Sequence, residues 1–201
     1  MSPTKEIPKN NLNDLSGREW IKFTKSWFVH SPPRRSTKKI LHPACFPESL
    51  ATSFIEFFTK KGEWVLDPFL GTGSTLLASK DAGRNGVGLE VYPRYAEIAR
   101  SRLKTLTVNY KTTRQIVVTE DSRKITEVFK QKRLPNVDFC LTSPPYWNQL
   151  KRSTLRQKER EKRGLDTSYG VEAADLGNID NYEHFIEVQK QVFDEIFKVV
   201  K

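Results

Sequence analysis

The chain has two cysteines and three histidines in 201 residues. Cys45 and Cys140 form no disulfide or metal-ligand pattern, and both lie in apolar surroundings, which reads them as packing residues. His30, His42 and His184 show no ligand spacing, so no metal is expected. No apolar run is long enough to span a bilayer, and no secretory leader is recognisable. A cytoplasmic location without membrane attachment is therefore expected. No internal repeat is visible, and the length fits one domain.

Acidic charge is also scarce. The formal net charge is +10 and the pI is about 9.6, which suggests a polyanionic partner. The excess is local. Residues 1–40 hold nine Lys/Arg against three Asp/Glu, and residues 149–163 hold seven against two. A basic run alone reads as solvated surface. The second run, with Lys151, Arg152, Arg156, Arg160 and Arg163, directly follows the catalytic candidate and is read as a phosphate-contacting segment.

That candidate is Thr142-Ser143-Pro144-Pro145-Tyr146-Trp147. It ends an apolar run, Val137 to Leu141, which reads as a buried strand. Two prolines cannot continue a sheet ladder, so the chain must turn there. A hydroxyl, a rigid carbonyl-bearing turn and two aromatic rings are left at the strand's carboxyl end, where open α/β sheets bind ligands. Pro-Pro alone would read as a turn capping a strand.

The second signal lies upstream. A short apolar strand runs into Asp67-Pro68-Phe69-Leu70-Gly71-Thr72-Gly73, and a helical pattern follows. Glycines let a backbone approach a ligand, and the helix start favours polar or anionic groups. The third glycine of the dinucleotide fingerprint is absent, since Leu76 stands in its place, which disfavours a nicotinamide enzyme. The next strand, Gly86 to Val91, contains Glu90, seventeen residues after Gly73. An acid at that tip can hold ribose hydroxyls. Together these features describe a nucleoside-binding half-fold. Glu90 or Asp121 alone would read as a solvated carboxylate.

Strands at about Trp64–Asp67, Gly86–Val91, Ile116–Thr119 and Val137–Leu141 alternate with helices, which implies a mostly parallel sheet covered on both faces. Residues 1–10 read as a disordered tail. Trp20, Phe23, Trp27 and Phe28 recur at one-face helical spacing and read as an apolar face on the core. Residues 148–177 read as a long polar loop, functional or disordered. From Asn181 to Lys201 one apolar stripe runs through Tyr182, Phe185, Ile186, Val192, Phe193, Ile196, Phe197 and Val200.

These stations, in this order, resemble the amino-methylating DNA methyltransferases, which use S-adenosylmethionine to modify N4 of cytosine or N6 of adenine. The resemblance covers roughly residues 11–201. It implies a Rossmann-like class I α/β fold, with Phe69, Gly71 and Gly73 as the cofactor loop that Asp67 opens. It implies Glu90 as the ribose acid and Asp121 as the acid near the adenine amino group. His42 to Pro47, with Phe46, resembles the element covering the methionine end. Ser143, Pro144, Pro145 and Tyr146 resemble the catalytic motif. Its form is commonest among N4-cytosine enzymes, which favours cytosine. Cytosine C5 chemistry is disfavoured, because that family presents its cysteine after a proline, whereas Ala44 and Phe139 precede the cysteines here.

The resemblance further implies double-stranded DNA as partner, a restriction-modification setting and a place in the prokaryotic cytoplasm near the nucleoid. Only four of the family's seven strands are accounted for, and the target-recognition region has no assigned place. Residues 11–201 are thus expected to be a partial domain, incomplete at the carboxyl end, with a basic insertion at 148–177. A second polypeptide, or a continuation of this one, is expected to supply the rest. The rival readings are an RNA or protein amino-methyltransferase and a non-catalytic DNA-binding subunit of a split enzyme.

Overall fold

The structure, a computed structural model, describes residues 10–24, 27, 47–106, 113–147, 155–162, 164, 170, 172 and 174–201. Its helices are α1 (Gly17–Phe23), α2 (Glu48–Phe58), α3 (Ser74–Asp81), α4 (Pro93–Thr105), α5 (Ile125–Lys132), α6 (Leu155–Lys162) and α7 (Tyr182–Val199). The strands are β1 (Trp64–Asp67), β2 (Asn85–Glu90), β3 (Gln115–Thr119) and β4 (Phe139–Cys140). All pairings are parallel, in the order β3-β2-β1-β4. The chain winds outward from β1 to β3 and then crosses to the other side of β1. That reversal leaves a crevice at the carboxyl ends of β1 and β4, where open α/β sheets take their ligands.

Alternation along the strands assigns the two faces. Val65 packs with Ala51 and Ile55 of α2 and with Ala78 and Ala82 at α3. Leu66, Val87 and Leu89 pack on the opposite side with Ile125, Val128 and Phe129 of α5 and Val188, Val192 and Ile196 of α7. Gly86 and Gly88 of β2 point toward α3 and its preceding loop. A Cβ at Gly86 would lie 3.2 Å from Leu76 Cγ, and one at Gly88 2.8 Å from Leu70 Cδ1. The strand is glycine-rich because this helix layer sits directly on it. This parallel sheet with helices on both faces is the expected Rossmann-like arrangement.

The amino-terminal arm is tied to the same layer. Ser16 and Glu19 form a capping box at α1. Trp20 and Phe23 pack on Phe57 of α2 at centroid distances of 4.9 and 4.4 Å. Arg84 lies beneath, 2% exposed, donating to the carbonyls of Ala82 (2.5 Å) and Thr59 (2.7 Å) and pairing with Asp14 at 3.5 Å. Orphaning a buried carbonyl costs about 1–3 kcal/mol, so this guanidinium fixes the turn between α3 and β2.

Four expectations are corrected. The aromatic face predicted from Trp20 to Phe28 ends at Phe23, where α1 stops. Trp27 is 70% exposed, because the helix that would have turned it inward does not reach it. Phe28 lies outside the described residues, as do residues 1–9 of the expected tail. The polar segment at 148–177 contains α6, whose charged residues still suit a helix exposed to water. The strand predicted over Val137–Leu141 is regular only at Phe139–Cys140. Val137 bridges in parallel to Val200 instead, with Val137 N–H donating to Val199 O (2.8 Å) and Lys201 N–H to Val137 O (3.0 Å). Finally, the single stripe predicted on α7 is two. Phe185, Val192 and Ile196 are buried, whereas Tyr182, Ile186, Phe193 and Phe197 are 44–85% exposed. No helix among the described residues is long and apolar enough to cross a membrane.

Candidate active site

The four strands deliver their candidate residues to one edge of the sheet. β1 ends in Asp67, which is 1% exposed. Its Oδ1 accepts from the Phe69 N–H at 3.1 Å and from the Thr142 hydroxyl at 2.7 Å, and its Oδ2 accepts from the Thr75 hydroxyl. Burial pushes its carboxyl up to about 6, against the lowering effect of these donors. Asp67 therefore ties the turn after β1 to the start of α3 and to the residue before Ser143. Its polar atoms are engaged within the protein.

Beyond it, Leu70 N–H donates to Leu89 O at 2.9 Å, and Gly71 and Gly73 take φ of 55° and 93°. Gly73 is the N-cap of α3, which no side chain caps. A Cβ at Gly73 would sit 2.9 Å from Ala99 Cβ, so both its dihedrals and its contact with α4 require glycine. Phe69 packs its ring against the main core.

Glu90, at the end of β2, is 7% exposed. Its Oε2 accepts from Gly71 N–H at 2.7 Å and its Oε1 from Tyr92 N–H at 2.9 Å. Burial pushes its carboxyl up to about 7, with smaller raising effects from the charges of Asp67 and Asp175. Asp121, after β3, accepts from Arg123 N–H (2.8 Å) and receives the Arg123 guanidinium, with Nε 2.9 Å from Oδ2. The adjacent Ser122 hydroxyl donates to the Pro68 carbonyl, joining the end of β3 to the glycine loop.

After β4, Ser143 Oγ and Tyr146 Oη lie 2.5 Å apart, and Tyr146 is 52% exposed. Trp147 takes a left-handed φ of 49°, which is strained for a bulky residue. Its ring meets Tyr182 of α7 edge-on at 5.1 Å. Gln189 of α7 donates to the Pro145 carbonyl at 3.2 Å. Cys140 beside the turn is mostly buried, and that burial pushes its thiol up to about 12, away from nucleophilic use.

Asp67, Phe69, Gly71, Gly73, Glu90, Asp121 and Ser143 to Tyr146 thus meet at one sheet edge. Phe46, Lys151, Arg152 and Arg163 lie outside the described residues, as do the side chains of Arg156 and Arg160 on α6. Sequence reasoning included Thr142 in the candidate stretch without giving it a role, and gave none to Gln189, Arg102 or the pair Tyr92–Asp175. Arg102 donates to the Thr72 carbonyl at 2.6 Å and pairs with Glu48 at the start of α2. Of these only Thr142 carried a local signal, its place beside Ser143.

The raised carboxyl of Glu90 has a direct consequence. Its folded value lies above the ordinary 4.5, so its protonated form is favoured by the fold. Stability from this group is complete below about 4.5 and is lost as pH rises through about 7. Glu90→Gln fixes the neutral form. Its stability relative to the parent should rise by on the order of 2–3 kcal/mol between pH 4.5 and 8 in urea titrations. A difference that stays flat over that range would refute the assignment.

A DNA methylase family model matches residues 3–101, which hold the glycine loop and Glu90 but not Ser143. Type II methyltransferase M.HinfI of Haemophilus influenzae is 39% identical over 99 residues, 49% of this chain and 24% of that protein. Orphan methyltransferase M.BamHII of Bacillus amyloliquefaciens is 39% identical over 88 residues, 42% of this chain and 33% of that protein. Type II methyltransferase M.MthZI of Methanothermobacter thermautotrophicus is 43% identical over 60 residues, 30% and 17% of the two chains. Among solved structures, a protein described as a DNA modification methylase from Thermus thermophilus, complexed with S-adenosyl-L-methionine, is 28% identical. The match covers 56% of this chain and 43% of that one at a TM-score of 0.42. The matches to these curated relatives thus span a third or less of the relatives' own lengths. By the family model and these relatives, the chain is similar to DNA methylases over just under half of its length.

Proposed function

We propose that this chain binds S-adenosylmethionine at the ends of β1, β2 and β3 and directs methyl transfer to an exocyclic amino group of DNA, N4 of cytosine in preference to N6 of adenine. The observation that carries the reading is the Asp67–Thr142 hydrogen bond, which seats the Ser143–Tyr146 turn beside the glycine loop. The residues fit the cofactor. Glu90 offers a carboxylate for ribose hydroxyls, the start of α3 lacks a side-chain cap, and Asp121 closes the end of β3. When bound, the cofactor supplies a sulfonium methyl that is strongly electrophilic.

The base must be flipped out of the duplex, and Tyr146, half exposed, is placed to stack on it. Its amino nitrogen is a poor nucleophile because the lone pair is conjugated into the ring. The Ser143 hydroxyl and the Pro144 carbonyl accept the two amino hydrogens, which turns the lone pair toward the methyl and stabilises the developing positive charge. With the cofactor bound, its methyl would pass to the amino nitrogen that Ser143 and Pro144 hold, and that nitrogen would then release one of its protons to solvent. Lys151, Arg152, Arg156, Arg160 and Arg163 are proposed to meet the phosphate backbone.

Labelled methyl transfer to duplex DNA, RNA and protein, followed by nucleoside analysis, tests the reaction. Ser143→Ala and Tyr146→Ala should each lower turnover by about 10²-fold or more with cofactor affinity within about twofold. Equal losses in both would make these residues structural. Replacing Lys151, Arg152 and Arg156 with Gln should flatten the salt dependence of duplex binding, since fewer counterions are released. An unchanged slope would return the run to solvated surface.

We further propose that additional strands, carried by a second polypeptide or a further segment, pair along the outer edge of β4. The Val137–Val200 bridge already pairs that edge in parallel, and Ile186, Phe193 and Phe197 of α7 leave an apolar face uncovered. Open edges and such faces drive association. The 201-residue chain alone should therefore self-associate in sedimentation and methylate DNA poorly. Robust sequence-specific methylation by its monomer would overturn this.

A further inference from the structure

The turn that leaves β2 is held by a residue 83 positions further along the chain. The Tyr92 hydroxyl donates to Asp175 Oδ2 at 2.7 Å, and the two residues are 8% and 5% exposed. Gly170 lies against the ring, so that a Cβ there would stand 2.5 Å from Cε1. Asp175 is fixed in turn. Its Oδ1 accepts from Gly177 N–H at 2.8 Å, capping the 3-10 turn Leu176–Asn178, and Leu176 is buried in the main core. Asn178 closes the same segment by donating to the carbonyls of Gly170 and Glu172, each at 3.2 Å.

Tyr92 also donates its backbone N–H to Glu90 Oε1. A glutamate side chain has three torsions, and two N–H groups hold this one, from Gly71 and Tyr92. The second donor is only as fixed as residue 92, whose carbonyl accepts from Ala96 N–H at 3.1 Å as the N-cap of α4 and whose ring is held by Asp175. We infer that Asp175 and Tyr92 are positioning residues that hold the Glu90 carboxylate in place for the ribose hydroxyls of the cofactor, an inference that rests on the cofactor reading above. The segment following the basic run is thereby part of the cofactor site's frame, joined to it from the far side of the catalytic turn. Preorganisation of this kind shows in affinity because the ligand need not order the acceptor itself.

The test compares S-adenosylhomocysteine with its 2′-deoxyribose analogue by calorimetry on the full chain. The parent should favour the ribose compound by about tenfold, the worth of a hydrogen bond to a buried carboxylate. Tyr92→Phe keeps the ring and removes the donor, and should bring that preference toward unity. Asp175→Asn should retain it, since the amide donates to Tyr92 Oη while its oxygen keeps the Gly177 cap. If either single change prevents folding, Tyr92→Phe with Asp175→Leu removes both polar partners together and should likewise lose the preference. A role confined to stability would weaken both ligands equally and leave their ratio intact, which would overturn the inference alone. A parent chain that binds neither compound, or binds both equally, would overturn the cofactor reading and this inference with it.

Discussion

A carboxylate cut off from water must find all its partners inside the protein, and Asp67 imposes that constraint at the centre of this fold. Its three donors come from three places: the turn after β1, the first turn of α3 and the residue before Ser143. Satisfying one side chain therefore fixes the relative positions of the glycine loop and the Ser143–Tyr146 turn. The loop is held from outside as well. Arg102 of α4 grips the Thr72 carbonyl while paired with Glu48 of α2, and Ser122 holds the Pro68 carbonyl. A loop rich in glycine would otherwise be free to reorganise. Here its carbonyls are tied down, and the glycines contribute permitted dihedrals and close approach.

Much of this was legible in the chain. β1 was read at its observed bounds, and the start of α3 was marked by Gly73. These signals are local: an apolar run and a glycine turn. The convergence of Asp67, Glu90, Asp121 and Ser143 at one edge followed from parallel topology, since residues that end parallel strands share an edge. The ties between them were not legible. Nothing near Tyr92 announces Asp175, and nothing near Pro145 announces Gln189, because these pairs are made by packing across long separations.

The misreadings share a physical origin. Helical spacing shows which residues share a face and says nothing of how wide a face the rest of the protein covers. On α7 the apolar arc is wider than the surface that α5 and the sheet offer, so it divides into a buried half and an exposed half. At α1 the spacing continued past the helix, and Trp27 was left in solvent. For α6, composition correctly showed a segment with little to bury, but a charged helix can form without burying anything.

That division of α7 bears on the Ser143–Tyr146 turn. Trp147 sits in a strained left-handed conformation, and such strain, about 1–3 kcal/mol, persists only where packing holds it. The packing comes from α7, through Tyr182 against the indole and Gln189 on the Pro145 carbonyl. One edge of α7 therefore steadies the turn that presents Ser143 and Tyr146, one stripe anchors the helix in the core, and another faces outward uncovered. The exposed stripe and the Ser143–Tyr146 turn are thus linked through a single rigid element.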